Sequence, residues 1–242
     1  MSYSSEKTVF NTGQERLQEV LKRIRGAGMT LRKDKCQFGV PSVEFLGHVI
    51  SAKGVRLDPD KVKAICDFPP PANKAEGRRL MGMVNYLSKF SARLAALCSG
   101  IHEVMGTRSE WFWGQAQQTA FEGIKEVLVN APVLCAFDPT KNQRVSSDAS
   151  KNALGAVLLQ ETRPGVWQPV EYASRKVTGA ETRYAMIEKK ALGITWGCEK
   201  FDFFLVGRKF EVETDHKPLI ALLGEKDLSQ LPVRAQRLKM RL

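Results

Sequence analysis

Three carboxylates stand where folding could bring them together. Asp148 comes late in the strand-like run QRVSSDA, Glu188 early in the helix-like run YAMIEKKALGITWGCEKFDFFL, and Asp215 at the end of RKFEVETD. The intervals of 40 and 27 residues leave room for two strands before the helix and one after it. If Asp148 and Asp215 end central, parallel strands, both emerge at the same sheet edge. Glu188 follows the apolar Ile187 and is expected to face the sheet rather than open solvent. Acids held so close repel, which raises their pKa values unless a cation is present. Two divalent ions roughly 4 Å apart would relieve the repulsion, activate water and stabilise the leaving oxygen of a phosphodiester. Hard oxygen ligands select magnesium or manganese over zinc. Acids at strand ends and on helix surfaces are more often simply solvated, so spacing alone leaves both readings open.

The elements that must position these acids are legible as hydrophobic periodicity. Strands are expected at 143–149, 154–160, 167–173 and 208–214, the first three joined by turns at Lys151-Asn152 and Pro164-Gly165. The longest helix, about 183–205, lays Ile187, Ala191, Ile194, Cys198, Phe201 and Leu205 on one face. Three meandering strands, a helix and a further strand make a mixed α/β layer. Upstream, residues 14–27 form an amphipathic helix through Leu17, Val20, Leu21 and Ile24, stopped by Gly26 and Gly28. Strands around 30–39 and 44–51 follow, separated by a turn at Pro41-Ser42. Asp58 caps a helix with Pro59 at its first position, running to about Asp67. Phe68-Pro69-Pro70-Pro71 is a stiff joint. Asn73 and Glu76 resemble a capping pair for a helix at 74–88. Residues 89–115 read as irregular, and 116–130 as another amphipathic helix. Trp111-Phe112-Trp113 suits a small core better than base stacking.

The chain has 242 residues, 43% of them hydrophobic, which is ample for a core. Thirty-seven Lys and Arg against 26 Asp and Glu leave a net charge of +11. That excess favours a polyanionic partner, although charge alone fits a merely basic protein equally well. It is spread along the chain, with 19 basic and 14 acidic groups in residues 1–140 and 18 and 12 in 141–242, so there is no basic tail on a neutral body. Five cysteines (Cys36, Cys66, Cys98, Cys135, Cys198) form no close pair, and the three histidines have no zinc-ligand spacing, which points to a reducing compartment. The start, MSYSSEKTVFN, lacks the apolar core of a signal peptide, and no apolar run approaches the ~20 residues of a membrane span. A soluble intracellular protein with no membrane partner is expected.

The runs DASKNALGAVLLQ, YAMIEKKALGITW and GRKFEVETDHKPLIALL resemble the ribonuclease H domain of gypsy-type LTR retrotransposon Pol polyproteins. Upstream, RLQEVLKRIRGAGMTLRKDKCQFGVPSVEFLGHVIS is similar to the end of the reverse transcriptase palm in that family. GVRLDPDKVKAICDFPPPANKAEGRRLMGMVNYLSKF is similar to its thumb and connecting region, and WFWGQAQQTAFEGIKEVLVNAPVLCAFDP to the lead-in to the nuclease. The resemblance covers nearly the whole chain in the family's order. It implies a palm remnant with the start of the thumb (1–67), thumb and connection helices (68–130) and a ribonuclease H-like mixed sheet with packed helices (131–242). The overall class is α/β, with an α+β N-terminal part.

The resemblance further implies that Asp148, Glu188 and Asp215 match three metal-binding catalytic acids, which with two Mg2+ or Mn2+ ions cut the RNA strand of an RNA–DNA hybrid. Ser147, Ala149 and Ser150 would shape the turn of the first motif, and His216 would give structural support. A cytoplasmic retroelement particle or the nucleus would be the setting, and other Pol segments (palm and fingers, the end of ribonuclease H, integrase) the natural partners. Two departures carry expectations of their own. MSYSSEKTVFNTG stands where the family has its Tyr-x-Asp-Asp hairpin, with no aspartate before Asp34, so polymerase activity is expected to be absent. The chain stops at LPVRAQRLKMRL, and neither Glu225 nor Asp227 matches the family's fourth acid, so truncation of the nuclease is expected.

A hybrid-binding surface would hold phosphates through cations and read shape rather than sequence. Candidates are Arg175, Lys176, Lys189, Lys190, Arg234 and Arg237, with Lys239 and Arg241 beyond, each individually more often a solvated surface group. Together they predict salt-sensitive binding, with a log–log slope of about −0.9 per phosphate neutralised. Integrase-type strand transferases share the sheet and metal logic, but their acids run Asp, Asp, Glu rather than Asp, Glu, Asp. An inactive hybrid-binding remnant is the non-enzymatic alternative.

Overall fold

The computed structural model describes residues 3–106 and 109–242. The chain forms two compact units, one ending at Pro41 and the other spanning Ser42–Leu242. The first contains helix α1 (Tyr3–Gly26), which begins well before the expected residue 14. Its apolar stripe is uncovered: Val20 and Leu21 are exposed, and Leu17 and Ile24 half-buried. The strand expected at 30–39 does not form. Its centre, Lys33-Asp34-Lys35, winds into a single 3-10 turn held by an Arg32–Asp34 ion pair of 2.6 Å. A charged run without apolar alternation has no sheet face to bury.

The second unit opens with an antiparallel meander, β1 (Ser42–Phe45), β2 (His48–Ser51) and β3 (Gly54–Leu57). The first turn lies at Leu46-Gly47 rather than Pro41-Ser42. Both residues have positive φ (47° and 66°), the conformation whose twist matches a two-residue hairpin. Helix α2 (Pro59–Cys66) starts as expected, with Asp58 accepting from the Asp60 amide at 2.9 Å. Helix α3 (Lys74–Tyr86) is capped by Asn73, which accepts from the Glu76 amide at 3.0 Å, while Glu76 accepts from Ala72 at 2.8 Å. The stretch read as irregular contains helix α4 (Leu94–Val104), and α5 (Gln115–Val129) follows. These helices share a core built on Leu80, Phe90, Ile101, Phe121 and Ile124. Trp111 and Trp113 pack against it, but Phe112 is exposed.

The second sheet has four strands: β4 (Gln143–Ala149), β5 (Ala153–Arg163), β6 (Val166–Lys176) and β7 (Glu211–Glu213), in the order β6-β5-β4-β7. The first three meander antiparallel, and β7 joins β4 in parallel. Thus β4 is internal, whereas β7 is an edge strand, shorter than expected. The long helix breaks at Phe201 into α6 (Met186–Lys200) and α7 (Asp202–Leu205). After β7 come a single turn, α8 (Lys217–Leu219), a wider π turn over 220–225, and α9 (Val233–Lys239). The core of this sheet takes Val145, Leu154 and Leu158 from the strands and Ala191, Ile194 and Phe201 from the helices and their junction.

Close approach is what lets α6 sit on β4 and β5. A Cβ added at Gly197 would lie 2.9 Å from the Ala156 Cβ and 3.5 Å from Val145. Neither neighbour is a flexible side-chain tip, so the helix itself would have to move. Gly197→Ala should therefore destabilise the unit by about 1–3 kcal/mol, the usual cost of overpacking, although alanine is the better helix former. Urea unfolding of the two proteins measures the difference, and equal or greater stability would contradict this account of the helix–sheet contact.

Candidate active site

The parallel pairing of β4 and β7 decides where the acids go. Its register sets Arg144 against Glu211, Val145 against Val212 and Ser146 against Glu213. Continued in step, it brings Asp148 level with Asp215, two residues past the end of β7. Both acids line an open cleft of about 690 Å³, together with Glu213 and Thr214. Ala92, Arg93 and Ala96, at the start of α4, line the same cleft. The Ser150 hydroxyl accepts from the Ala153 amide at 2.9 Å, so this serine shapes the turn directly after Asp148.

A lysine joins the two acids. The Lys190 ammonium on α6 donates to Asp215 Oδ1 and Oδ2 at 2.6 and 2.7 Å and lies 3.9 Å from Asp148 Oδ1. The lysine side chain is 16% exposed, against 82% for Asp148 and 70% for Asp215. Its hydrogen bonds hold the Asp215 carboxyl below the ordinary carboxylate range.

Glu188 does not face the sheet as expected. Its carboxylate accepts from the Ala185 amide at 3.0 Å, closing the first turn of α6, and from Arg234 of α9 at 2.7 and 2.8 Å. The Arg234 guanidinium also lies over the Tyr184 ring, 4.0 Å from its centre. Third place in the helix, beside an apolar residue, did not fix this rotation, because the first turn of a helix offers unpaired amides that attract a carboxylate. Among the described residues, no three acidic, histidine or cysteine side chains group closely enough to hold a metal ion.

Residues 113–212 match the family model described as the RNase H-like domain found in reverse transcriptase. The retrovirus-related Pol polyprotein from transposon 297 of Drosophila melanogaster is 33% identical over 204 residues, 84% of this chain and 19% of that polyprotein. The transposon Tf2-3 polyprotein of Schizosaccharomyces pombe is 32% identical over 206 residues, 84% of this chain and 16% of that polyprotein. The chain belongs to the retrotransposon Pol polyprotein family. It spans less than a fifth of the length of these curated relatives.

The chain also shares its fold with solved foamy viral proteins. A foamy viral protease-reverse transcriptase in complex with an RNA/DNA hybrid superposes with a TM-score of 0.76 at 20% identity, covering 95% of this chain and 32% of that one. A second foamy viral form, in complex with double-stranded DNA, gives 0.76 at 18% identity over 96% of this chain and 41% of that one. The mixed α/β architecture is thus the RNase H-like fold.

Most of the cations expected to meet a nucleic acid are engaged within the protein. Lys189 is buried, and its ammonium donates to the Lys151 carbonyl at 3.2 Å, so it cannot reach a phosphate. Lys176 donates to the Ser99 carbonyl at 3.0 Å. Lys239 donates to backbone carbonyls of the preceding turn, and Arg241 pairs with Glu199 at 2.7 Å. Arg237 is exposed, with no side-chain partner among the described residues. Arg93 was not singled out from sequence, since α4 was not expected, yet it is exposed at the cleft.

Arg175 makes the firmest of these pairs, a two-pronged contact with Glu181 at 2.7 and 2.9 Å. It pulls the Glu181 carboxyl down to about 2, helped by the Thr178 amide. The unfolded chain, with an ordinary carboxylate, takes up the proton first as pH falls. The pair's stabilisation is therefore complete above about pH 4.5 and is lost as pH falls toward 2. Glu181→Gln should unfold more readily than the parent protein at pH 6, and the gap should close as unfolding is repeated toward pH 2. A gap independent of pH would remove the ion pair as its cause.

Proposed function

We propose that this chain is a reverse transcriptase/ribonuclease H fragment of a gypsy-type element's Pol protein and hydrolyses the RNA strand of RNA–DNA hybrids. The observation that carries the reading is the convergence of Asp148 and Asp215, from adjacent parallel strands, on one cation in a cleft. Their oxygens are hard donors suited to magnesium or manganese, and a pair that already reaches one ammonium fits one divalent ion in its place. When bound, such an ion supplies the positive charge that activates water and stabilises the departing oxygen. Asp148 and Asp215 would hold it, and Glu188 would join them only by exchanging its Arg234 contact. A second ion would depend on that exchange.

The chain's own groups have further tasks. Arg93, at the cleft and exposed, is placed to take a backbone phosphate, and Arg237 is free to take another. An RNA–DNA hybrid fits a site read through backbone shape, and a foamy viral protein of the same fold was solved with one. In an intact polyprotein the partners would be neighbouring Pol segments. One observation favours a second reading, hybrid binding without cleavage: each of the three acids already faces a lysine or arginine.

Cleavage of a labelled hybrid in Mg2+ or Mn2+ separates the two readings. Asp148→Asn should reduce cutting at least a hundredfold while leaving hybrid affinity unchanged or slightly higher. Binding without cleavage in both metals supports the non-catalytic reading, and cleavage that survives Asp148→Asn sinks the assignment of the site. Arg93→Gln should weaken hybrid binding and flatten its log–log salt dependence by about 0.9. An unchanged slope would exclude Arg93 from the phosphate grip.

A further inference from the structure

We infer that Lys190 is a built-in counter-ion that holds Asp148 and Asp215 together and competes directly with a divalent metal for them. The inference rests on the reading of these acids as a metal site, and it concerns how that site is filled. The ammonium is within 2.7 Å of both oxygens of one carboxylate and 3.9 Å from the other. It thus stands between the two acids, where an ion shared by them would lie. The lysine is not a loose surface group. Its side chain is 16% exposed and rises from the same helix turn as Glu188, whose carboxylate is occupied separately by Arg234.

Coulomb's law gives the consequence. Two carboxylates facing one cleft attract a positive charge between them, and one ammonium or one divalent ion serves. Keeping both would set a cation against a cation at contact distance. Metal entry therefore requires Lys190 to swing out. The carboxylates are mostly exposed, so the lysine contact is screened by water and is weak enough to be displaced. Lys190 is then a positioning residue for the empty site and a competitor for the filled one. A purely structural lysine would do only the first.

Direct titration with Mn2+, followed by electron paramagnetic resonance of the free ion, tests this without reference to cleavage. Lys190→Met should bind Mn2+ at least tenfold more tightly than the parent protein, and Lys190→Arg should bind it about as the parent does. Equal or weaker binding by Lys190→Met overturns the inference, as does absence of Mn2+ binding in every form. The parent protein gives a second measurement should the variants fold poorly. Acetylation of Lys190, read by mass spectrometry, should accelerate several-fold when Mg2+ is added, while buried Lys189 stays slow. An unchanged Lys190 rate overturns the inference. The nuclease reading fails separately: a parent protein that holds Mn2+ yet leaves the hybrid uncut refutes catalysis and leaves the role of Lys190 standing.

Discussion

The parallel pairing of β4 with β7 is the constraint on which the site depends. Asp148 and Asp215 reach the same place because β4 and β7 run parallel and adjacent, in a register that, continued past the end of β7, sets the two acids level. Parallel neighbours need a crossover between them, and here it is α6, which also brings Lys190. The same segment that makes the pairing possible supplies the ammonium that both aspartates meet. The topology and the electrostatics of this site are therefore one problem rather than two.

The helix can deliver that charge only because it lies unusually near the strands. Gly193 and Gly197 face Ala149, Val145 and Ala156, with no side chain of their own to hold the helix away. Thr195, fully buried, has the Ala191 and Leu238 carbonyls as acceptors for its hydroxyl, at 3.2 and 3.3 Å, and the second contact ties α6 to α9. α9 in turn carries Arg234 to Glu188. A displacement of α6 would thus be felt at both cation–carboxylate contacts, although the glycines that prevent it lie further along the helix.

How much of this was legible in the sequence varies with the kind of signal. Alternation along QRVSSDA and ALGAVLLQ and the 3–4 spacing from Ala191 to Phe201 are local and strong, so the mixed sheet and its helix were readable. Asp58-Pro59 and Asn73 with Glu76 marked helix starts by capping chemistry that depends on only a few residues. Helix α4 was missed although Leu94, Cys98, Ile101 and Met105 recur at helical spacing, because the small and polar residues among them diluted the pattern. The strand at 30–39 was read from β-tolerant residues that had no face to bury. At the site, type and position of Asp148 and Asp215 were readable from strand ends. The rotation of Glu188 and the burial of Lys189 were not, because both are settled by α9 and by the Lys151 carbonyl, partners that a linear reading cannot place.

The net charge of +11 also means something different once the partners are known. Arg144 is spent on Glu211 and Glu213, Arg175 on Glu181, Lys190 on Asp215, and Arg234 on Glu188. These pairs gather around the four-stranded sheet, so the cations that spacing places beside the acids are mostly answered by acids. A polyanion approaching the cleft would find attraction from the general field of the protein, but few uncommitted donors at close range. Binding strength and site chemistry are then separable in this molecule. The long-range charge would draw a polyanion toward the surface, whereas in the cleft the two aspartates meet the ammonium of Lys190.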